Sequence, residues 1–468
     1  MVIFIEDLEI IMRPGMKKLK IILLMLTLTF GVFQAYEASA QPRRLTLDDA
    51  VATAVNNNHD VQSAKLAVKK ADYAVSEAMG YALPSLNVSG QYTYNTQLPV
   101  FFMPNVFQPG KQNEMIALKI GADNSFQAVA SLTQVLFNSS IFVGIGTSKV
   151  YYSAVVEQYR GTIAKTIVGT KKAFFGVLLA KEYLETMKSS LKNYSENLTS
   201  IQAYYNEGLI PEFDKIRAEV GVENIRPLVM QAETQYINAL NGLKITMGTD
   251  IKDSIEVVGE LILPADSSVI DEFKAIEDIE ISNYDLLALK KVKDVNEDLI
   301  TIKSGEYFPT LAFFGNYVYQ GQSNTFDFQT AKSSSIGLNL SMNLFQGFQS
   351  NSRVQQAKID FQTTGERYRQ LRDVIIMQVK SSVLQLKVAV KRIETQQKTV
   401  SQAERGYEIA KIRYKEGVGN LMEINDADLA LVQAKLNRAQ AFYDYITAKA
   451  DLENLLGRVD NKYFSVKF

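Results

Sequence analysis

Residues 333–348 read SSSIGLNLSMNLFQGF, and their pattern decides the fold. From Ser335 to Leu344 the chain alternates without a fault. Ile336, Leu338, Leu340, Met342 and Leu344 fall on one face of a strand; Ser335, Gly337, Asn339, Ser341 and Asn343 fall on the other. A half-buried soluble sheet uses such alternation. Roughly ten residues is also the length of an outer-membrane strand, apolar towards lipid and polar towards a watery lumen. After Gln346 and Gly347 the period becomes helical, with no Gly or Pro that reads as a stop for roughly sixty residues. At about 1.5 Å per residue that helix would be on the order of 90–100 Å long. A membrane strand feeding so long a helix is an unusual pairing, and the rest of the chain is read outward from it.

The chain has 468 residues and a formal charge of -1, so no nucleic-acid partner is expected. One stretch, residues 21–33, resembles a membrane helix. It follows Lys17, Lys18 and Lys20 and precedes Ala38-Ser39-Ala40, the layout of a secretory signal with cleavage after Ala40. Glu6, Asp7 and Glu9 make the first residues a poor n-region, so the natural start is expected at Met16 and the signal segment spans 1–40. The sequence contains no Cys, which removes disulfide and thiolate chemistry and lipid attachment at the cleavage site. An exported chain without a later hydrophobic helix is either periplasmic or an outer-membrane β-protein.

The chain repeats internally. At one constant shift Asn58-His59-Asp60 lies on Asn283-Tyr284-Asp285, Lys65 on Lys290, Pro84 on Pro309, Gly90 on Gly315 and Tyr92 on Tyr317. At a smaller shift Glu207-Gly208 lies on Glu416-Gly417 and Gly248 on Gly457. The difference places a longer loop at 95–124 than at 320–334, and the longer one is rich in Pro and aromatics. Two structural repeats result, 41–248 and 283–457, with a linker at 249–282 and a tail at 458–468. Each reads as helix, strand, loop, strand, long helix, turn, helix. Strands are expected near 85–94, 126–137, 310–319 and 335–344. Gln134 on the apolar face of the second, and Phe314 and Val318 on the polar face of the third, weaken those two.

Apolar residues at coiled-coil spacing run from Val177 through Leu184, Met187, Leu191 and Leu198 to Tyr205. They run again from Ile376 through Val379, Val383 and Leu386 to Ile393, and from Ile424 through Leu431, Ala434 and Tyr445 to Leu455. Helix lengths add a geometric clue. The long helices, about 146–206 and the one after Gly347, match the combined lengths of shorter helices at 212–247 with 60–82, and at 420–456 with 285–307. Each half therefore reads as one long helix beside a stacked pair, with 249–282 and the tail forming a collar at mid-length. Four strands cannot close a barrel, and an open edge is not tolerated in lipid, so strands in the membrane require an oligomer.

In this order the chain resembles the TolC-like outer-membrane efflux family. The resemblance covers residues 43–457 and rests on LTLDDAVATAVNNN at 45–58, YALPSL before the first strand, and the YNEG and YKEG turns. It implies a mixed α and β fold. In a homotrimer, four transmembrane strands per chain would build a twelve-stranded barrel in the outer membrane, continued by a coiled-coil α-helical barrel across the periplasm. It implies a passive duct for efflux or type I secretion. A periplasmic adaptor of the membrane-fusion class would link it to an inner-membrane pump of the resistance-nodulation-division or ABC class. The alternative from the residues alone is a periplasmic coiled-coil structural or adaptor-like protein without a pore.

No catalytic, cofactor or metal constellation is legible. His59 is the only histidine, and its place at a helix start reads as a surface or cap role. By position from the Tyr and Gly of the second turn, the resemblance puts the family's two gate carboxylates at Glu423 and Asp426. Their spacing sets them on one helix face, although acids in a first helical turn are also favoured by the helix dipole. It likewise puts a latch acid at Asp214 and its tyrosine partner at Tyr414. Gly419 stands where that latch has a basic residue, so a weaker latch, or one that uses Lys215 or Arg413 instead, is expected. Gly208 and Leu209, with Gly417 and Val418, would be the tips that meet the adaptor. A Gly helix terminus accounts for them equally.

Overall fold

The structure is a computed structural model that describes residues 43–107, 109–110, 113–262 and 272–459. The expected signal segment 1–40, residues 263–271 of the linker and residues 460–468 of the tail lie outside the described residues. In order the elements are β1 Arg43–Leu45, α1 Leu47–Asn57, α2 His59–Gly80, β2 Ser85–Tyr94, β3 Val100–Pro104, β4 Met115–Lys119, β5 Asn124–Phe137, α3 Ser139–Asn206 and α4 Glu212–Met247. Then come β6 Ile255–Val257, α5 Glu272–Ser282, α6 Tyr284–Ser304, a 3-10 turn Gly305–Tyr307, β7 Thr310–Ser323, β8 Gln329–Ser341, α7 Gln349–Lys415 and α8 Leu421–Leu455.

Four strands form one antiparallel sheet in the order β2-β5-β7-β8, leaving β2 and β8 as edges. The deciding stretch lies in β8, displaced from its expected bounds: the strand begins at Gln329, not Ser335, and ends at Ser341, not Leu344. A ladder extends only as far as its partner. β7 runs on to Ser323 and pairs Gln322 with Gln329, so most of the loop expected at 320–334 is strand. At the other end Ser341 pairs with Thr310, the first residue after Pro309, which has no N–H to give. Likewise the loop expected at 95–124 contains the hairpin β3–β4.

α3 has 68 residues and α7 has 67, each about 100 Å long. The expected start of α3 is near 146. The helix instead starts at Ser139, capped by the Asn138 side chain on the Ile141 N–H. Packing overrides propensity there. Ser140 Oγ donates to the Ile302 carbonyl at 2.8 Å, and Gly305 approaches so closely that a Cβ on it would sit 2.5 Å from that hydroxyl.

The shorter helices stack end to end as their lengths required, through two joints built alike. α4 ends at Gly248 with φ +68°, and the Asn58 side chain caps α2 through the Asp60 and Val61 N–H groups. The same Asn58 amide donates to the Thr246 carbonyl at 2.8 Å, tying the end of α4 to the start of α2. At the second joint Asn283 caps α6 and donates to the Leu455 carbonyl at 2.9 Å, beside Gly457 with φ +60°. A Cβ would lie 2.3 Å from the Asn57 carbonyl oxygen at Gly248, and 2.0 Å from that of Ser282 at Gly457, so only glycine fits. The cap at the first joint is thus Asn58. His59, exposed, is merely the first helical residue.

Near mid-length, β1 pairs in parallel with β6, and Leu45 and Val257 are buried against Phe174, Val177 and Leu178 of α3. Ile279 of α5 is buried against Ile375, Val379 and Val383 of α7. Among the described residues no helix is long and apolar enough to cross a membrane.

Candidate functional site

The sheet sorts its side chains by face. Register pairs Leu86 with Leu132, Val88 with Ala130, Tyr92 with Phe126, and Phe313 with Leu338. The opposite face pairs Ser85 with Thr133, Asn87 with Ser131, Gln91 with Gln127 and Asn316 with Ser335. The apolar face is exposed in the single chain: Leu86, Val88, Ile336, Leu338 and Leu340 are all more than half accessible. Such a face needs cover, and its mostly apolar registers, interrupted by Gln134 and Lys332, suit lipid. The residues that spoiled the pattern have local uses. Gln134 donates to the Ala82 carbonyl at 2.7 Å, pinning the chain before β2. Phe314 lies across from Gly337, where a Cβ would come within 2.8 Å of its ring, and Phe126 covers Gly321 in the same way. An aromatic ring over a strand glycine restores the missing contact area.

At the far end of the long helices both turns close on a left-handed glycine, Gly208 with φ +71° and Gly417 with φ +74°. Gly208 and Gly417 donate to the Tyr205 and Tyr414 carbonyls, and Leu209 and Val418 to those of Tyr204 and Arg413. Leu209 and Val418 are exposed at the two tips.

α8 opens after the second turn with Asn420 as its cap, accepting from the Glu423 N–H at 3.0 Å. The Glu423 carboxylate is held by the Asn420 amide at 3.3 Å and by Arg413 Nε at 3.4 Å. Asp426, one turn on, is exposed. Tyr414 packs beside Ile201, Ala218 and Leu421. Its phenol is pushed up by burial, then by the charge of Asp214 and by Tyr204. The substitutes expected for the missing basic residue have other engagements. Lys215 pairs with Glu219 at 3.8 Å and lies over the Tyr205 ring, while Arg413 takes Glu423 and the Val418 carbonyl. Gly419 has its own reason: a Cβ there would sit 3.1 Å from the Arg413 Cβ and the Tyr414 nitrogen.

The model of the family described as "Outer membrane efflux protein" matches residues 50–249 and 275–458. The chain belongs to that family. The outer membrane protein TolC of Vibrio cholerae is 22% identical over 397 residues, covering 83% of this chain and 85% of that protein. The alkaline protease secretion protein AprF of Pseudomonas aeruginosa is 22% identical over 344 residues, covering 72% and 70%. Among solved structures, the Campylobacter jejuni CmeC outer membrane channel superposes with a TM-score of 0.74 at 18% identity, over 88% of this chain and 85% of that one. This member of the outer membrane efflux family is therefore an outer-membrane channel of the efflux and secretion class, and the pore-free periplasmic alternative is set aside.

One charged helix residue of this channel does not face solvent. Asp428, 2% exposed, accepts from Ser190 Oγ at 2.5 Å and from the Asn193 amide at 2.7 Å, both on α3. Burial, and then the Asp428 charge, pushes the phenols of Tyr194 and Tyr407 up, Tyr407 to about 12. The signal available in the sequence was an acid interrupting an apolar helix, weaker than the Gly-marked turns beside it.

Proposed function

We propose that three copies of this chain close into a ring. It would form a twelve-stranded barrel in the outer membrane above a twelve-helix tunnel in the periplasm, and serve as the passive duct of a tripartite efflux or type I secretion system. One observation carries the reading: the uncovered edges fall on the same two sides at every level. The sheet runs β2-β5-β7-β8. Below it the helices contact in the order α2-α3-α6-α7, and towards the tips in the order α4-α3-α8-α7. One side is thus β2, α2 and α4, and the other is β8 and α7. Such a head-to-tail edge closes into a ring when copies repeat it, and twelve strands satisfy the closure that four cannot.

Both helical edges carry uncovered seams at coiled-coil spacing. On α4 Phe213, Ile216, Val220 and Ile237 are exposed, and on α7 Met377, Leu384 and Val388. The helices run antiparallel, so at a common rise Ile237 of one copy and Val388 of the next stand at similar heights above the tips. The sequence halves, offset as repeats, would then alternate around the tunnel.

Glu423 and Asp426 from each copy gather at the narrow end as a cation-attracting gate. Asp214 and Tyr414 act as the latch between the first and second helix pairs. The tips Gly208-Leu209 and Gly417-Val418 meet a periplasmic adaptor, which joins an inner-membrane resistance-nodulation-division or ABC transporter. Native mass spectrometry of the detergent-solubilised channel tests the assembly: a species of three chains is expected, and a monomer that stays in solution without detergent overturns it.

A further inference from the structure

α8 touches two neighbours with two stripes. Ile424 and Leu431 pack with Tyr407 and Ala410 of α7. The other stripe meets α3 in antiparallel register: Leu421 lies with Ile201 near the tip, and Val432 and Leu436 lie with Met187 and Leu184 farther up. Asp428 sits between those apolar contacts, opposite Ser190 and Asn193. Its side chain is buried, both of its oxygens are engaged, and both donors are neutral.

A buried polar contact in an apolar seam adds little to net stability but discriminates sharply between registers, because a slipped register strands the polar group. If α8 slid along α3 by part of a turn, the carboxylate would leave both donors before reaching the next hydroxyl or amide, Thr186 on one side and Asn197 on the other. The seam therefore has discrete settings instead of a continuum, and a helix leaving the observed one does so in a step.

The geometry points to Asp428 as the positioning residue of the gate, a register lock that joins the α7–α8 pair to the α3–α4 pair within one protomer and so fixes where Glu423 and Asp426 stand. The lock rests on the gate proposed above. It differs from the Asp214–Tyr414 latch in being buried, in lying beyond the gate carboxylates on α8, and in acting on α8 along its length. Widening of the tunnel end by movement of α8 against α3 has to break the Ser190 and Asn193 bonds first.

The test is single-channel recording in planar bilayers on channels whose three-chain mass has been verified. Asp428→Leu should raise closed-state conductance on the order of tenfold, the equilibrium shift that follows from losing a buried charge-assisted bond. Block by a multivalent cation should persist, because Glu423 and Asp426 are still present. Asp428→Asn, whose carbonyl can accept from Asn193 while its NH2 donates to the Ser190 hydroxyl, should restore most of the closed state. Ser190→Ala removes one donor with little risk to folding and should open the channel partway. If Asp428→Leu and Ser190→Ala only lower the melting temperature and leave closed conductance at the parent level, the lock is wrong. If Glu423→Ala/Asp426→Ala changes conductance while these variants do not, the lock alone falls; if that double variant also does nothing, the gate reading falls with it.

Discussion

The two turns at the tips share a glycine and differ in nearly everything around it. After Gly208 the chain enters α4 through Pro211, which stands at the cap position without a side-chain hydrogen bond. After Gly417 the backbone folds back on itself, with Val418 and Gly419 both donating to the Arg413 carbonyl at 3.0 Å. Asn420 then caps α8, and Arg413 ties Glu423 and the Val418 carbonyl into the same knot. Side-chain hydrogen bonds cross and brace the second turn, whereas the first is crossed by Lys215 over the Tyr205 ring. The hydrogen-bonded turn is the one that carries Glu423 and Asp426, the acids proposed as the gate.

The sharpest way to break this contrast is to remove the acids. Glu423→Ala together with Asp426→Ala should raise single-channel conductance severalfold and weaken block by multivalent cations. In the proposed trimer six gathered carboxylates would then be replaced by methyl groups, and the cation attraction of the constriction would disappear. The matching change in the first turn, Asp214→Ala, should raise conductance less and leave the block in place, because it loosens a latch without discharging the constriction. Unchanged conductance and block in the double variant would remove the gate role from the second turn altogether.

Next in size is the brace. Gly419→Arg restores the basic residue that the latch has elsewhere in the family's pattern, yet it should destabilise the tip. Its Cβ would press on the Arg413 side chain and the Tyr414 backbone at 3.1 Å, and overpacking of this kind costs about 1–3 kcal/mol. A lower melting temperature of the assembled channel, with earlier proteolysis after Lys415 than after Lys215, is the expected outcome. A melting temperature at or above the parent's would show that the second turn has room to spare and is not the tighter of the two.

Much of this was legible in the residues, and the misses have physical causes. β2 is readable at both ends because Pro84 precedes it at one end and its partner β5 begins at Asn124 at the other. β8 was misplaced because Met342 and Leu344 continue the alternation beyond Thr310, where the ladder has no further partner. α3 was started late because Gly144 and Gly146 are poor helix formers, while the contact that carries the helix through them comes from Ile302 and Gly305, far away in sequence. The Gly-marked turns were visible, since a positive φ leaves a mark on composition. Arg413 as the partner of Glu423, and Asp428 as a buried acid, were not. Charge in a sequence carries no sign of which face of a helix another helix will cover.

A smaller effect is expected from Arg413→Gln, which frees Glu423 from its partner at 3.4 Å. Both side chains are about half exposed, and pairs of that kind contribute only about 0.2–1 kcal/mol. Stability should barely move, but the unpaired carboxylate should bind blocking cations more tightly. The corresponding change in the first turn, Lys215→Gln, lies away from the acids and should leave block untouched. Equal effects from the two would mean that Arg413 acts as general surface charge and not as the brace of the second turn.

The smallest effect appears only in alkali and again separates the turns. Burial pushes the phenols of Tyr414 and Tyr407 up, with the charges of Asp214 and Asp428 adding to it, and Tyr407 reaches about 12. A phenol raised in the folded chain favours the protonated form. Below the ordinary value near 10 both folded and unfolded chains hold the proton, and the contribution to stability is whole. As pH climbs from 10 towards about 12 the unfolded chain releases its proton first, so that contribution is lost. Both tyrosines lie on α7 just before the second turn, and proteolysis should show that turn loosening across this window. Tyr407→Phe, which has no proton to lose, should shift the loosening to higher pH, and Tyr414→Phe should do so less. If both variants loosen at the same pH as the parent, the alkaline weakness lies outside these phenols, and the second turn draws no stability from keeping them neutral.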